Sequence, residues 1–491
     1  MLTRIFRGLA PRAAAPAPPA PVPDQATLRA DLAGLMNAAQ PAYPAGFRGA
    51  VPPRWYDKTH EVRAIQDWLA AQRTRDPAFD AVAFLRDFAE IDRHRAAPFT
   101  VLALEHRAAG DKQAAAEAIA ASLSANHWDL HAQDIALEIN AWAADAPSPL
   151  LQLNEYLKGR FCAAPFETLE TTPNGDAYVC CPSWLPIPIG NIDRQDADAI
   201  WNSPIADELR ASILDGSFRY CSRMHCSRIG NKWLPEAGSP EAAAFTAGDA
   251  LRKPGPRQVI LSHDQSCNLA CPSCRRDFIL ANKEEQAALD RVADDFVMPI
   301  LRDADSVRIT GSGDPFGSNH FRRLLKSITR EEFPRLWVDL HTNAQLLNAR
   351  AWADLGLSSL VRITEISIDA ALPETYAVVR RGGDFSRLLE NLEFVKHLRE
   401  TGEIQRLVLS FVVQALNFRE MPEFVRIADR FGADLVVFNM IRNWGTYSRE
   451  EFEEQFIGAR THPEHGAFLE TLRAPELQAA KVSMGNVLGY A

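Results

Sequence analysis

Three patterns of hydrophobic and polar positions follow one another along the chain. From Gln25 to about Ser148 apolar residues recur at three- and four-residue intervals among alanines, which predicts helices. Residues 101–107 and 112–124, separated by Ala108-Ala109-Gly110-Asp111, resemble one helix–turn–helix unit of the tetratricopeptide kind. Such arrays need three or more units, so a helical packing or docking region is the plainer reading. Residues 151–235 lose this periodicity and carry Pro165, Pro173, Pro182, Pro186, Pro188 and Pro204, which predicts a loop-rich unit with little core of its own. After the breaker Pro254-Gly255-Pro256 the pattern alternates. Strands are expected at 259–262, 307–310, 336–341, 365–368, 407–413 and 435–440, with amphipathic helices between them, such as that carrying Leu388, Leu392 and Val395 on one face. Six β-α alternations predict a parallel α/β sheet, doubly wound or curled into an incomplete barrel, with its site at the carboxyl ends of the strands.

These shifts divide the chain into a disordered Pro/Ala-rich leader (1–26), a helical tetratricopeptide-like domain (27–150), a loop-rich unit with a linker (151–255), an α/β unit (256–445) and a helical tail (446–491). The leader carries Arg4, Arg7 and Arg12, but residues 2–9 are too broken by Thr3, Arg4 and Arg7 for a secretory signal; a transit peptide or membrane-surface helix is the alternative. Composition narrows function. With 53 Lys plus Arg against 63 Asp plus Glu the net charge is −10, which argues against a nucleic-acid partner. No apolar run reaches the length of a transmembrane helix.

The eight cysteines, at 162, 180, 181, 221, 226, 267, 271 and 274, all fall in one quarter of the chain. A disulfide framework belongs to small secreted domains, so this clustering points to metal in a reducing, cytoplasmic setting. Cys267-Asn268-Leu269-Ala270-Cys271-Pro272-Ser273-Cys274 follows the first strand of the α/β unit. Thiolates spaced C-x3-C-x2-C can each hold a different iron of a cubane cluster and leave the fourth iron open for a substrate or cofactor. A zinc site with His263 as fourth ligand is the alternative.

With this motif the chain resembles the radical SAM superfamily over residues 256–440. The resemblance implies a partial (β/α)6 barrel and a catalytic [4Fe-4S] cluster on Cys267, Cys271 and Cys274 whose open iron binds S-adenosylmethionine. It further implies cleavage of that cofactor to methionine and a 5′-deoxyadenosyl radical, which takes hydrogen from a substrate, and a low-potential electron donor such as flavodoxin or ferredoxin. Gly311-Ser312-Gly313-Asp314-Pro315 resembles the family's Gly-Gly-Glu-Pro motif, implying Gly311, Gly313 and Asp314 at the methionine end of the cofactor. His341-Thr342-Asn343 is similar to a Thr-Asn-Gly turn. Ser367 and Asp369 stand where polar cofactor contacts are usual, Arg380 where an arginine reaches the cofactor carboxylate, and Gln414 and Asn417 end the fifth strand. Two departures stand out. Ser273 occupies the place of an aromatic residue near the adenine, and Asp314 is one methylene shorter than Glu, so that its contact is direct or through water.

Upstream, Cys162, Gly175-Asp176-Ala177-Tyr178-Val179-Cys180, Gly190-Asn191-Ile192, Ile200-Trp201-Asn202-Ser203-Pro204 and Cys221-x4-Cys226 resemble the SPASM auxiliary-cluster domain. That domain normally follows the barrel and holds two clusters on seven or eight cysteines. Here it precedes the barrel with five, which implies one second [4Fe-4S] cluster on Cys162, Cys180, Cys221 and Cys226, with four-cysteine zinc as the alternative. Cys181 is left as a spare thiol, an alternative ligand to Cys180, or a hydrogen-atom donor. His462, Glu464 and His465 read as solvated, and Trp444 and Tyr447 as packing or lining the barrel mouth. A peptide or protein side chain is the expected substrate. A sugar or other small metabolite is the second reading, and a zinc-stabilised, non-catalytic interaction protein the third.

Overall fold

The computed structural model describes residues 23–39, 58–91, 93, 95–185, 187–246 and 255–490. The leader up to residue 22, Pro186 and linker residues 247–254 lie outside the described residues. Seven helices open the described chain: α1 (Gln25–Ala38), α2 (Thr59–Arg75), α3 (Ala81–Ile91), α4 (Ala96–Ala108), α5 (Lys112–Ala125), α6 (Leu130–Ala143) and α7 (Pro149–Leu157). α1 begins inside the stretch read as leader because Asp24 caps it, its Oδ1 accepting from Thr27 N at 2.8 Å. The expected helix–turn–helix unit is α4 and α5: Gly110 turns the chain at φ +80° and Asp111 accepts from Ala114 N at 3.0 Å to start α5. Leu32, Ile65, Leu85, Val101, Ile119 and Ile139 form a core of their own, onto which Met224 of the cysteine-rich region packs.

Among the described residues ten strands form one sheet. They are β1 (Thr168–Thr171), β2 (Asp176–Tyr178), β3 (Gly190–Asn191), β4 (Gln258–Leu261), β5 (Ser306–Ile309), β6 (Trp337–Thr342), β7 (Val361–Ser367), β8 (Arg406–Val413), β9 (Leu435–Met440) and β10 (Val482–Ser483), in the order β10-β9-β8-β7-β6-β5-β4-β1-β2-β3. All six strands expected after residue 256 are present, and β4 to β9 are parallel. β7 starts four residues earlier than its apolar run because Arg362, which broke the pattern, bonds Asp339 on β6 at 2.6 Å.

Two expectations are corrected. The cysteine-rich region has more core of its own than expected, with Phe161, Phe166, Ile213, Phe218 and Leu234 packed together, and it also joins the sheet: β1 pairs parallel with β4, Leu169 beside Val259, and Val179, Ile189, Ile200 and Trp201 enter the core of the sheet. Four residues, three of them polar, gave the pattern no apolar run to register. The tail is not purely helical either, since after the helices Arg449–Gln455 and His465–Thr471 it adds β10 to the edge of β9.

Side chains alternate along the strands. One face (Val259, Leu261, Val307, Ile309, Leu340, Leu409, Phe411, Phe438) shares a core with helix residues Phe321, Leu388, Leu392 and Phe424. The other face presents Glu170, Arg308, His341, Glu365, Ser367 and Ser410, and the Arg308 side chain there stays 37% exposed. The sheet bends round this polar face. β9 and β2 stand seven strand spacings apart, roughly 34 Å if flat, yet Arg442 Nη1, just past β9, donates to Ser183 O, just past β2, at 2.7 Å. Among the described residues no helix is long and apolar enough to cross a membrane.

Candidate active site

The loop after β4 carries Cys267 and Cys271 buried and Cys274 exposed, all free thiols. Each sulfur faces an N–H donor: Leu269 N (3.4 Å) and Asn343 Nδ2 (3.7 Å) on Cys267, Arg380 Nη1 (3.7 Å) on Cys271, and Arg275 Nη2 (3.3 Å) on Cys274. Burial, then the neighbouring Asp314, pushes the Cys267 thiol up to about 12. Burial likewise raises Cys271, against the pull of Arg380. A bound cation would offset that cost of ionisation, and the donors around these thiols suit the anionic sulfurs of an iron-sulfur cluster. Among the described residues no three Cys, His, Asp or Glu groups converge as around a single ion; a cubane spreads its ligands over several irons. His263 does not complete the set. Its Nδ1 meets Thr171 Oγ1 at 3.0 Å and its Nε2 meets His320 Nε2 at 2.9 Å, and burial holds it neutral, down at about 3.

The loop after β5 is laced to the cysteine loop. Gly311 N donates to Ser262 Oγ at 3.1 Å and Asp314 N to Ser266 O at 2.9 Å. A Cβ at position 313 would lie 2.5 Å from Asp264 O, so glycine is needed there for backbone contact with the cysteine loop. Asp314, expected on the cofactor, is 1% exposed with both oxygens engaged: Oδ1 accepts from Phe316 N (2.9 Å) and Gly317 N (3.1 Å), Oδ2 from Thr342 Oγ1 (2.7 Å) and Asn343 N (2.9 Å). It clamps the loop after β5 to the turn after β6.

Asp369 and Arg380 pair with each other at 2.9 Å, and Asp369 also accepts from Val412 N at 2.8 Å. Ser367 Oγ lies 2.6 Å from His341 Nε2 and 3.1 Å from Ser410 Oγ. Gln414 and Asn417 tie the end of β8, Asn417 Oδ1 accepting from Gln414 N and its Nδ2 donating to Asp369 O, each at 2.8 Å. His465 is not a solvated group, being buried with Nδ1 2.9 Å from Ile457 O, whereas His462 stays half-exposed with its Nδ1 accepting from Glu464 N at 3.1 Å. Tyr447 stands close enough for the Cys271 thiol to raise it, after burial and Glu451, and Arg276 Nε donates to Thr446 O at 3.0 Å, so residues 443–447 border the cysteine loop.

Several groups escaped the sequence. Arg275 touches Cys274, and the exposed Phe278 packs on Gly382, where a Cβ would lie 2.7 Å from its ring. Arg308 Nη1 bonds Glu365 Oε2 at 3.2 Å across β6. Alternation within the short strands was the one signal that would have found this polar face. Burial drives Glu170 there up to about 8, against Arg308. Its folded-state value lies above its unfolded one, so its contribution is full below about pH 4.5 and is lost as the pH rises to about 8. Glu170→Gln is expected to flatten that loss by a few kcal/mol, read by urea melts at pH 5 and pH 8.5; parallel pH profiles of the two proteins would refute it.

The upstream thiols separate in the same way. Cys162, Cys180, Cys221 and Cys226 line one apolar cavity of about 40 Å³, room for more than one water. Burial raises all four, and they act on one another electrostatically. Cys181 does not line that cavity. Its thiol is pushed up to about 12 by burial and then by Glu170, on the polar face of the sheet. Cys162 precedes the amino end of β1 and Cys180 follows the adjacent end of β2, whereas Cys267 lies past the carboxyl end of β4, which runs parallel to β1.

Residues 162–227 match the model of SPASM, an iron-sulfur cluster-binding domain. The mycofactocin maturase MftC of Mycobacterium ulcerans is 29% identical over 171 residues, 35% of this chain and 43% of the relative. The GTP 3′,8-cyclase of Alkaliphilus oremlandii is 32% identical over 200 residues, 39% of this chain and 60% of the relative. The chain thus spans about half the length of these relatives. A crystal structure of Streptococcus suis SuiB bound to the precursor peptide SuiA overlaps 38% of this chain and 40% of that one at 18% identity, with a TM-score of 0.29, a slight likeness. Residues 162–227 thus match an iron-sulfur domain model, and the chain, with its cysteine loop past the first parallel strand, is similar over 35% and 39% of its length to a maturase and a GTP 3′,8-cyclase, a likeness in line with the resemblance to radical SAM enzymes that carry a SPASM domain.

Proposed function

We propose that this protein binds a catalytic [4Fe-4S] cluster and S-adenosylmethionine at the Cys267, Cys271 and Cys274 loop and uses them to abstract hydrogen from a peptide or protein side chain. The observation that carries the reading is that loop, past the carboxyl end of β4, with an N–H donor on every thiol. The bound cofactors would supply a 5′-deoxyadenosyl radical, given an electron from a low-potential donor such as flavodoxin or ferredoxin in the cytoplasm. The bent sheet is taken as the partial (β/α)6 barrel, and its polar face as the substrate wall. There the Arg308–Glu365 pair and the His341–Ser367–Ser410 chain offer both donors and acceptors. Arg380, held by Asp369, keeps a cation beside Cys271, and Asp314 fixes the two loops rather than touching the cofactor. The helical region serves as the docking module.

Anaerobic reconstitution with iron and sulfide, then dithionite and S-adenosylmethionine, tests this. About eight irons per chain with 5′-deoxyadenosine formed supports two clusters, about four leaves the upstream site without one, and zinc with no 5′-deoxyadenosine overturns the reading. A second cluster on Cys162, Cys180, Cys221 and Cys226 further predicts that Cys180→Ser loses about half of the iron whereas Cys181→Ala keeps it. Iron loss in Cys181→Ala would assign that thiol to the cluster.

A further inference from the structure

A groove of about 1820 Å³ runs between α5 and α6, residues 223–231 of the cysteine-rich region and the segment after β9, reaching Ala415 and Ile441 at the carboxyl ends of β8 and β9. His127, His225 and Arg442 meet on its wall. Arg442 Nη1 is fixed on Ser183 O and its guanidinium stands 5.5 Å from the centre of the Trp184 ring, but Nη2 is buried without a hydrogen-bond partner. His225 is 7% exposed, and its Nδ1 is likewise without one. Burial and the Arg442 charge hold His127 down at about 4, so it faces the groove as a neutral imidazole able to donate. A guanidinium with an unused N–H, beside an imidazole nitrogen that also has no partner, leaves this concavity short of an acceptor that carries negative charge.

We infer that this cluster is a carboxylate subsite, which receives an acidic side chain or the terminal carboxylate of the polypeptide substrate; the assignment rests on the peptide reading above. A polypeptide fits the rest of the lining. Ile119, Ala120, Leu123 and Leu137 give the helical wall an apolar stripe, while Glu117 and Glu454 alternate with Arg93, Arg223 and Arg460 on the same groove, a lining of mixed sign and apolar area that suits a polypeptide better than a ligand of one charge sign such as a nucleoside triphosphate.

The test uses the full-length chain and three rhodamine-labelled, N-acetylated nonapeptides, read by fluorescence anisotropy: one with a single central Glu and an amidated end, its Gln twin, and the Gln peptide with a free carboxyl end. The Glu peptide or the free-ended one is expected to bind at least tenfold more tightly than the amidated Gln peptide, and which of the two does so tells a side-chain from a terminal carboxylate. Arg442→Gln should erase the preference and Arg442→Lys keep part of it, which separates lost charge from lost fold. Equal binding of all three, no binding up to millimolar protein, or a preference that survives in Arg442→Gln overturns the subsite. Displacement by micromolar pyrophosphate overturns it in favour of a phosphorylated small ligand. 5′-Deoxyadenosine formation by the same preparation reads the proposed activity separately, so failure of one does not pass for failure of the other.

Discussion

Cys271→Ala is expected to abolish 5′-deoxyadenosine formation, by roughly three orders of magnitude or more, and to remove about four irons per chain while leaving the protein folded. Cys271 is buried within the loop and stands under Arg380. Without its thiolate a cubane keeps two protein ligands and loses the geometry that leaves one iron open. The fold should survive because Arg380 remains paired with Asp369 and the loop keeps its backbone anchors, Cys267 N on Ile279 O at 2.9 Å and Ala270 N on Arg381 O at 3.0 Å. Iron analysis, chromatography of the nucleoside product and circular dichroism check the three parts. Full iron with retained product would take Cys271 out of the cluster.

Asp314→Ala is expected to destabilise the chain by about 3 to 5 kcal/mol and to lose the catalytic cluster with it. Four donors from two loops converge on this carboxylate, and alanine would leave the N–H groups of Phe316, Gly317 and Asn343 and the Thr342 hydroxyl without their acceptor. Asn343 also reaches Cys267, so slack in the turn after β6 is felt at the cluster. Asp314→Asn keeps the shape but turns one acceptor into a donor, and should fall between alanine and the parent. Denaturant melts and cluster absorbance follow both effects. If Asp314→Ala keeps its stability and loses only cofactor affinity, the carboxylate is a cofactor contact after all.

Much of this was legible in the sequence. Strands β4 to β9 announced themselves because each is an apolar run between amphipathic helices, and the cysteine spacings carried the two thiol sets. Partners were harder to read. Asp314, Asp369 and Arg380 sit where the family motifs put cofactor contacts, yet the carboxylates serve loops and a guanidinium inside the protein, a fact about tertiary neighbours that no spacing encodes. β1 was missed because Leu169 alone of its four residues is apolar, and with it went Glu170 and the continuity of the sheet. The separation of Cys181 from Cys180 reflects two side chains leaving the backbone in different directions, which adjacent letters in a sequence do not reveal.

That continuity has a practical consequence for anyone dividing the gene. β4, first strand of the α/β unit, is an interior strand whose outer neighbour is β1, about ninety residues upstream. A fragment begun at Pro256 would expose the Gln258–Leu261 edge as an unpaired template next to freshly uncovered Val259 and Leu261, an invitation to aggregate. It would also lose the Ser183 carbonyl on which Arg442 closes the far end of the sheet. Insolubility of such a fragment would report a severed edge and would say nothing about the chemistry of the cysteine loop.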